Sequence, residues 1–449
     1  MEHNILSQAL PKRKWIEFGS NRQGIILTEL DYELLLLLFN QRLLTTQQLF
    51  LYASSKKSYN RRAFTNRMRK FVQYDIIKHH EYELGNLGFR FYYYRIGKQG
   101  VDILINEGLI PEADSPEQIQ KIHKRIGSYS AIKNVDHYLG LQELVIHTLG
   151  KVAQRGEDVH SISPGMNPYV DEDPMSDSPL VIPDWILRRK NRTLNIELDT
   201  GTEKQARLRE KIEKYIQLAK QEPWVHHVVL IAELDDSFRT RFKYGDRTRR
   251  IGNVKHSIIN LRELHQENLE IYTLPLQECY GLTFELLLGN RPFTKEKMVQ
   301  HLQATLKILE DYNDTFEFSF TSIKNSKVYL KETESHYYAD GVYNIKNISG
   351  SLTRNVFFVS LEAGHIQSLD RLDYLHSLVL EQKTKIPIDL VIGYYHDSEE
   401  QRMDVLGKDY RKLLIIDTQQ WSENFTESPI FYKPISPYRM EAIMYEDWS

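Results

Sequence analysis

Short apolar segments alternate with amphipathic helices through most of this chain, and this alternation limits the fold more than any other feature of the sequence. Residues 180–187, 194–199 and 226–233 have the length and composition of buried strands. A helix over residues 203–219 precedes the third strand and carries its apolar residues on one face. The pattern predicts an α/β core in which helices pack on a sheet.

A second series of segments repeats this order, with strands over 337–345 and 356–362, a helix over 366–380, and strands over 386–395 and 413–417. We interpret the two series as two copies of one α/β unit. Two unrelated α/β segments are the alternative, because alternation of strands and helices is common in proteins.

The N-terminal segment has a different order of elements. We predict helices that begin near Thr28, at a capping box of Thr45 and Gln48, and near residue 58, then strands over 76–82 and 89–96 around a turn at 85–88. One face of the third helix is apolar and consists of Phe64, Met68, Phe71 and Val72. Three helices followed by a hairpin is the order of a winged helix-turn-helix.

The third predicted helix also concentrates positive charge. Residues 56–70 contain seven basic residues and no acidic one. Contacts between such residues and phosphates supply much of the affinity for DNA, and a helix-turn-helix places this helix in the major groove. We predict a DNA-binding surface of Arg61, Arg62, Thr65, Asn66, Arg69 and Lys70, with Arg90 and Arg95 on the hairpin. A solvated basic face, or a winged helix that binds protein, is the alternative.

Composition excludes several other classes of protein. The chain has 449 residues, 41% hydrophobic and 27% charged, as in folded globular domains. Its one cysteine, Cys279, excludes an internal disulfide framework and a multi-cysteine zinc site. The longest aliphatic run, residues 34–39, is far shorter than the ~20 residues of a membrane span, and residues 1–14 do not resemble a signal peptide. We expect a cytoplasmic protein with no membrane partner.

The chain is close to neutral overall, with a net charge of −3, so only local clusters can indicate a polyanionic partner. A second cluster of seven basic residues lies within residues 239–255, together with Gly245 and Gly252. We interpret these residues as a flexible loop, which either contacts the DNA backbone or is simply solvated. The sequence has no glycine-rich phosphate loop, which argues against an ATPase.

Acidic residues gather near the ends of two predicted strands. Asp184 follows Pro183, and Glu197 and Asp199 lie near the end of the next strand. Glu197 and Asp199 point to the same face because side chains alternate along a strand. Carboxylates on adjacent strands can converge on Mg²⁺, which prefers oxygen ligands and can activate water beside a phosphoryl group. We therefore predict Asp184, Glu197 and Asp199 as candidate ligands of Mg²⁺.

Pro183-Asp184, followed by Glu197-Leu198-Asp199, resembles the PD-(D/E)xK nuclease motif. The chain departs from the motif at Asp199, where the motif has lysine. A lysine of the following helix, Lys204 or Lys211, is the replacement that we consider. The resemblance implies a restriction-endonuclease-like α/β fold and a catalytic set of Asp184, Glu197, Asp199 and Lys211.

A wider resemblance is to the replication-relaxation family, and it covers about residues 28–233. It rests on the N-terminal winged helix, Asn134-Val135-Asp136-His137-Tyr138-Leu139, Pro183-Asp184, residues 197–203 and residues 211–215. These proteins come from plasmids and other mobile elements of Gram-positive bacteria. The resemblance implies a protein that binds double-stranded DNA and acts with replication or conjugation proteins. It leaves catalysis open.

The second copy keeps Asp340 and Glu362 as counterparts of Asp184 and Glu197, but it has Gly364 at the position of Asp199. We therefore expect this copy to be degenerate and structural. For Asp340 alone, a turn residue is the alternative.

The sequence thus predicts an α+β multidomain protein in which a winged helix-turn-helix precedes two restriction-endonuclease-like α/β units. The predicted boundaries are a tail at 1–27, the winged helix at 28–110, a linker at 111–125, the first α/β domain at 126–281, a helical connector at 282–315 and the second α/β domain at 316–449.

The leading functional hypothesis is a DNA-binding protein of a plasmid or other mobile element that acts in replication, maintenance or transfer. In this hypothesis the nuclease-like domains organise a complex or form a homodimer. The first alternative is a Mg²⁺-dependent DNA endonuclease or nickase. The second is a transcriptional regulator.

Overall fold

A computed structural model describes residues 10–18, 23–83, 90–110, 135–169, 179–238, 246–290, 294–312, 318–347 and 353–444. The protein is α+β, with several separate sheets. Its chain divides into two compact units. The first unit comprises Met1–Thr200, Leu234–Lys243 and Cys279–Gly289, and the second comprises Gly201–Glu233, Tyr244–Glu278 and Asn290–Ser449. Within the described residues, no helix combines the length and the apolar character needed to cross a lipid bilayer.

Up to residue 199, the elements are β1 (Arg13–Phe18), β2 (Gln23–Thr28), α1 (Glu29–Gln41), β3 (Leu44–Thr45), α2 (Thr46–Lys56), α3 (Arg61–Gln73), β4 (Ile77–Glu83), β5 (Arg90–Ile96), α4 (Lys98–Asn106), α5 (Val135–Arg155), β6 (His160–Ile162), β7 (Trp185–Arg189) and β8 (Arg192–Asp199). From residue 205, they are α6 (Gln205–Gln221), β9 (His226–Glu233), α7 (Arg247–Ile258), β10 (Leu269–Pro275), α8 (Leu276–Leu288), α9 (Lys295–Tyr312), β11 (Phe318–Ser322), β12 (Gly341–Asn347), β13 (Thr353–Ser360), α10 (Ile366–Glu381), β14 (Leu390–Tyr395), α11 (Ser398–Met403), β15 (Leu413–Asp417), α12 (Thr418–Glu423), β16 (Ile430–Ser436) and β17 (Arg439–Met444).

The first unit begins with an antiparallel hairpin of β1 and β2, within the segment that the sequence analysis treats as a tail. Ile25 and Leu27 are buried and Ile26 between them is exposed, so one face of the hairpin packs inward. Thr28 ends β2 and begins α1, where its amide donates to the Asp31 carboxylate at 2.7 Å. The hairpin therefore leads directly into the first helix.

Three helices and two longer strands follow in the predicted order. Thr45 and Gln48 form the predicted capping box at the start of α2, with hydrogen bonds of 2.8 and 3.1 Å. Strands β3, β5 and β4 form one small antiparallel sheet in that order. The predicted turn at residues 85–88 lies outside the described residues.

Helix α5 packs against α2 and ties the N-terminal helices to the rest of the first unit. The buried Gln48 side chain of α2 donates from Nε2 to the Leu139 carbonyl and to the Glu143 carboxylate of α5, both at 2.8 Å. On α5 the hydroxyl of Thr148 donates to Thr283 of α8 at 2.7 Å. The first unit therefore has one continuous interior.

Strand β7 pairs antiparallel with both β6 and β8. The sequence predicts a strand from residue 180, whereas β7 begins at Trp185. Pro183 has no amide to donate to a strand ladder, and Asp184 uses its side chain instead to accept from the amide of Leu198 at 2.9 Å. The predicted strand over 194–199 is confirmed within β8.

In the second unit, β9 and β10 form a parallel pair, and β9 has the predicted bounds. The prediction of a loop over residues 239–255 is wrong from Arg247 onward, because helix α7 begins there. The Asp246 carboxylate caps this helix by accepting from the amide of Arg249 at 3.0 Å. Gly252 within it lies so close to Gly407 that a Cβ atom at Gly252 would come within 2.6 Å of the Gly407 Cα atom.

The remainder of the second unit is a seven-stranded sheet in the order β11 to β17. Strands β13, β14 and β15 are parallel, and the other neighbours are antiparallel. Apolar side chains of α9 pack on this sheet, among them Met298, Leu302 and Leu306. The sequence analysis contains no counterpart of β16 and β17.

The two series of elements have the same order, which supports the predicted duplication. The first runs β6, β7, β8, α6, β9, α7, β10, and the second runs β11, β12, β13, α10, β14, α11, β15. The pair β6–β7 is antiparallel like β11–β12, and β7–β8 is antiparallel like β12–β13. The pair β9–β10 is parallel like β14–β15.

Candidate functional sites

Helix α3 presents the predicted polar arc to solvent. Asn60 caps the helix by accepting from the amides of residues 62 and 63. Phe64, Met68 and Phe71 of the predicted apolar face are buried, and Val72 is half-buried. The exposed arc contains Arg62, Asn66, Arg69 and Gln73, spaced by four, three and four residues. This spacing puts the four side chains on one face of the helix.

The basic residues of α3 fall into two groups. Arg67 turns inward, where it donates to the buried Asp31 carboxylate at 2.5 and 3.0 Å and lies over the Phe71 ring. In contrast, Arg62, Arg69 and Lys70 are exposed and have no ion-pair partner among the described residues. Within the described part of the chain, their positive charge is therefore not offset by an ion pair.

The other side chains that we predict to contact DNA already have partners within the protein or are partly buried. The Arg61 guanidinium donates to Gln47 at 3.1 Å, and the half-buried Thr65 hydroxyl donates to the Arg61 carbonyl at 2.9 Å. On β5 the exposed Arg90 forms an ion pair of 3.0 Å with Glu81, and Arg95 is half-buried. The predicted residues of α3 thus lie together on one helix, while the two arginines of β5 lie on the neighbouring hairpin.

The predicted acidic residues of the first unit meet at one strand end. Trp185 pairs with Ile196, so the antiparallel register places Asp184 opposite Glu197. Opposed residues share a face of the sheet, and Asp199 lies on the same face two residues further along β8. Glu197 and Asp199 are each 4% exposed. Glu197 and Asp199 therefore share one face of a buried strand end, and Asp184 lies beside it, where its carboxylate accepts from the Leu198 amide.

A histidine that the sequence analysis did not select completes this cluster. His137 Nε2 lies 3.1 Å from the Asp184 carboxylate and 3.0 Å from the Leu198 carbonyl, so this nitrogen carries a proton and donates. Burial favours the neutral imidazole, but Asp184, the Leu198 carbonyl and the charge of Glu197 outweigh burial and raise the pKa of His137. The available signal was the position of His137 inside the stretch of residues 134–139.

The arrangement offers limited support for a metal ion. No group of three or more His, Cys, Asp or Glu side chains in the described ranges is arranged to hold one. One oxygen of Asp184 is already engaged by His137 and by the Leu198 amide. Mg²⁺ commonly binds one or two carboxylates and keeps several waters, and Glu197 and Asp199 are buried near the end of β8. Lys211 is half-buried on α6, which belongs to the second unit.

The second copy has a different chemistry at the equivalent strand end. Gly341 pairs with Phe358, so Asp340 lies opposite Val359, and its carboxylate accepts from the Ser360 amide at 2.5 Å. Asp340 therefore corresponds to Asp184, as predicted, but Val359 corresponds to Glu197. The predicted correspondence of Glu362 with Glu197 is wrong, because Glu362 follows the end of β13.

A buried arginine occupies this second site. Arg371 of α10 donates to both oxygens of Asp340, at 2.8 and 3.1 Å, and to the Ser360 hydroxyl at 2.7 Å. The Tyr394 hydroxyl donates to the same carboxylate at 3.1 Å. The Asp340 side chain is fully buried, and the residue lies at a bend directly before Gly341, so the turn position and the buried ion pair occur together.

Three features can be compared with known families: the order of the N-terminal elements, the basic arc of α3, and the contact of His137 with Asp184. Residues 35–233 match the model of the replication-relaxation family. The replication-relaxation match runs from α1 to the end of β9 and contains α3, His137 and all three acidic residues of the first unit. It confirms the resemblance predicted from the sequence. The second copy lies outside the replication-relaxation match. No significant match is found among curated proteins or solved structures.

Proposed function

We propose that this chain is a DNA-binding protein of a plasmid or another mobile element, with a role in replication, maintenance or transfer. The observation that carries the proposal is the exposed arc of α3. Arg62, Asn66 and Arg69 lie on one face of that helix, opposite its buried face, and the two arginines have no ion-pair partner among the described residues. The replication-relaxation match supports the link to replication.

The surrounding elements suit docking on duplex DNA. Helices α1, α2 and α3, followed by the β4–β5 hairpin, have the order of a winged helix-turn-helix, and we propose that α3 enters the major groove. Arginine can bind guanine with two hydrogen bonds and asparagine can bind adenine in the same way, so Arg62, Arg69 and Asn66 are the proposed base contacts. Arg61 and Lys70 would contact phosphates, and Arg90 and Arg95 would follow the backbone from the hairpin.

The test is a mobility-shift assay with duplexes selected from a random pool by the unmodified protein. We expect Arg62→Ala/Arg69→Ala to weaken binding at least tenfold, since a bidentate base contact contributes about 1–3 kcal/mol. The matched control is Arg155→Ala, an exposed arginine near the end of α5, which should leave affinity unchanged. Unchanged affinity in the double variant, with an unchanged circular dichroism spectrum, would remove α3 from the interface.

A second candidate function is a Mg²⁺-dependent DNA nuclease or nickase, and the three carboxylates at the end of β8 favour it. In this proposal Glu197 and Asp199 hold the ion beside Asp184. Lys211 stays the candidate, from the sequence alone, for the lysine that the nuclease motif has at the position of Asp199.

Incubation with supercoiled plasmid and Mg²⁺ or Mn²⁺ tests the nuclease proposal. We expect nicking by the unmodified protein, loss of nicking in Glu197→Gln, and full activity in the control Glu213→Gln, an exposed glutamate of α6. Nicking that persists in Glu197→Gln would assign the activity elsewhere. If the protein binds DNA but does not nick it, the nuclease proposal is wrong and the DNA-binding proposal stands.

A further inference from the structure

The β1–β2 hairpin of the first unit carries an exposed apolar pair on its outer face. Trp15 is 53% exposed and Ile26 is 36% exposed, and the strand register places them directly opposite each other. Their neighbours Ile25 and Leu27 are buried on the inner face. The hairpin lies before the start of the replication-relaxation match, and neither the DNA-binding proposal nor the nuclease proposal uses it.

Gly24 makes room for the Trp15 indole on the outer face. A Cβ atom at Gly24 would come within 2.6 Å of the Trp15 ring, so the indole lies over this glycine and takes the place of a side chain there. Gly24 and Ile26 share the outer face because they are two residues apart on β2. The hairpin therefore presents a flat aromatic surface to solvent.

Positive charge lies beside this aromatic surface. Residues 12–28 contain four basic residues and one acidic residue, Glu17. Lys14 forms an ion pair of 2.6 Å within the first unit. Lys12 and Arg13 are exposed and form no ion pair with any residue that the structure describes. The start of β1 therefore has two positive charges available to a partner.

The hairpin lies alongside α3. The Arg67 guanidinium donates to the Ile26 carbonyl at 2.5 Å, and the rings of Phe18 and Tyr74 stack with their centroids 4.8 Å apart. Ile26 thus lies beside the middle of α3, and Phe18 lies beside its end. The charged start of β1 is at the opposite end of the ladder from Phe18, so it lies toward the first half of α3. The first residues of a recognition helix are those that contact base edges.

Lys70 connects the exposed arc of α3 with the side that the hairpin contacts. It follows Asn66 by four residues and Arg67 by three, so it is a neighbour of both on the helix surface. Lys70 is exposed and has no ion-pair partner in the described ranges. The basic surface of α3 therefore continues from the proposed base contacts toward the hairpin.

We propose that the β1–β2 hairpin is a second DNA-contacting element, which binds the backbone of the duplex beside α3. This inference rests on the proposed function. Lys12 and Arg13 contact phosphates, and the release of counterions favours their binding. Trp15 and Ile26 pack against the apolar carbons of the deoxyribose between those phosphates. The two available charges favour a polyanion over a second protein chain, because charged residues are depleted at the centre of protein–protein interfaces.

The first test is the DNA affinity of Lys12→Gln/Arg13→Gln at several salt concentrations, on duplexes that the unmodified protein selects. We expect affinity to fall roughly tenfold, by the same factor on selected and unrelated duplexes, because phosphate contacts carry no sequence information. The slope of log K against log salt concentration should become shallower by about 1.8, since each phosphate contact contributes about 0.9. The matched control, Arg155→Gln/Lys307→Gln, removes an exposed arginine and an exposed lysine from α5 and α9 and should change neither quantity.

A second variant tests the apolar pair. Trp15→Ala should weaken DNA binding roughly fivefold or more, because the apolar area that Trp15 buries against DNA is lost. The control is Trp224→Ala, which removes a tryptophan of the second unit that is 70% exposed. Sedimentation velocity measures the mass of each variant in solution. A changed mass in Trp15→Ala, with DNA affinity unchanged, would show an interface between copies of the chain and overturn the proposal.

Hydroxyl-radical footprinting locates the hairpin on the duplex. In Lys12→Gln/Arg13→Gln, protection should disappear from one flank of the site and persist at its centre. Unchanged affinity and salt slope, or an equal loss in the control, would overturn the inference and leave the α3 proposal intact. If instead Arg62→Ala/Arg69→Ala binds like the unmodified protein and the hairpin variant does not, docking through α3 fails and the hairpin contact stands. If the unmodified protein binds no duplex, the proposed function fails and this inference fails with it.

Discussion

Arg371 holds both carboxylate oxygens of Asp340 inside the second unit, where the arginine side chain is 4% exposed and the aspartate side chain is fully buried. Removal of one member of such a pair leaves a buried charge without its partner. We expect Asp340→Asn to lower the free energy of unfolding by about 3–5 kcal/mol. Urea denaturation measures this loss. The matched control is Glu381→Gln, which breaks an exposed pair with Lys383 and should cost less than about 1 kcal/mol.

The same aspartate makes stability depend on pH. Burial opposes its ionisation, but Arg371, Lys295 and the Ser360 amide outweigh burial and lower the pKa of Asp340. A lowered pKa contributes stability above the ordinary aspartate range, and this contribution is lost as pH falls through the lowered value. The difference in free energy of unfolding between the unmodified protein and Asp340→Asn should therefore become smaller as the pH falls. A constant difference down to the acid limit would contradict the ion pair.

His137 and Asp184 predict the opposite dependence in the first unit. The pKa of His137 is raised, so its stabilisation is fully present below the ordinary histidine pKa and is lost as pH rises through the raised value. We expect His137→Gln to reduce the melting temperature most at acidic pH and least at alkaline pH. His79→Gln changes an exposed histidine and should show no such trend, and a titration by nuclear magnetic resonance gives the pKa directly.

Substitutions of Arg67 and Arg62 should have different effects, although both residues lie on α3: the first lowers stability and the second lowers DNA affinity. Arg67→Ala leaves the buried Asp31 without its guanidinium partner, and we expect a loss of about 1–3 kcal/mol in unfolding free energy. Arg62→Ala should change stability by less than about 0.5 kcal/mol, as is usual for surface positions, yet reduce DNA affinity. If thermal denaturation ranked the two variants in the reverse order, the assignment of faces on α3 would be wrong.

Position 252 requires a glycine, because Gly407 lies against it in the folded chain. A Cβ atom at Gly252 would meet the backbone of Gly407 at 2.6 Å, so Gly252→Ala should destabilise the chain by about 1–3 kcal/mol. Gly281 on α8 has no atom within 4 Å of the corresponding position. Gly281→Ala should therefore leave stability unchanged or raise it by up to about 1 kcal/mol. Paired urea denaturation curves measure both effects.

Local sequence patterns were sufficient to predict the helices on which the DNA-binding proposal rests. The periodicity of Phe64, Met68 and Phe71 predicts the buried face of α3, and the spacing of Thr45 and Gln48 predicts the start of α2. Both features depend on residues close together in the sequence. Their physical causes, helical periodicity and end capping, therefore act within one element.

The remaining features depend on contacts between distant residues. Residues 247–258 resemble a loop because they are basic and contain Gly252. The Asp246 cap is a local signal of the helix, but the close approach of Gly407, which requires a glycine at 252, cannot be predicted from the sequence. The correspondence of Glu197 with Val359 follows from strand register, which an apolar run such as residues 356–361 does not reveal. The approach of His137 to Asp184 likewise requires the folded first unit.

Helix α5 carries His137 near its start and receives Gln48 of α2 at Leu139 and Glu143, within the next two turns. Helix α5 therefore borders both candidate sites of the first unit: it contacts α2, which lies next to α3, and it carries the imidazole that holds Asp184.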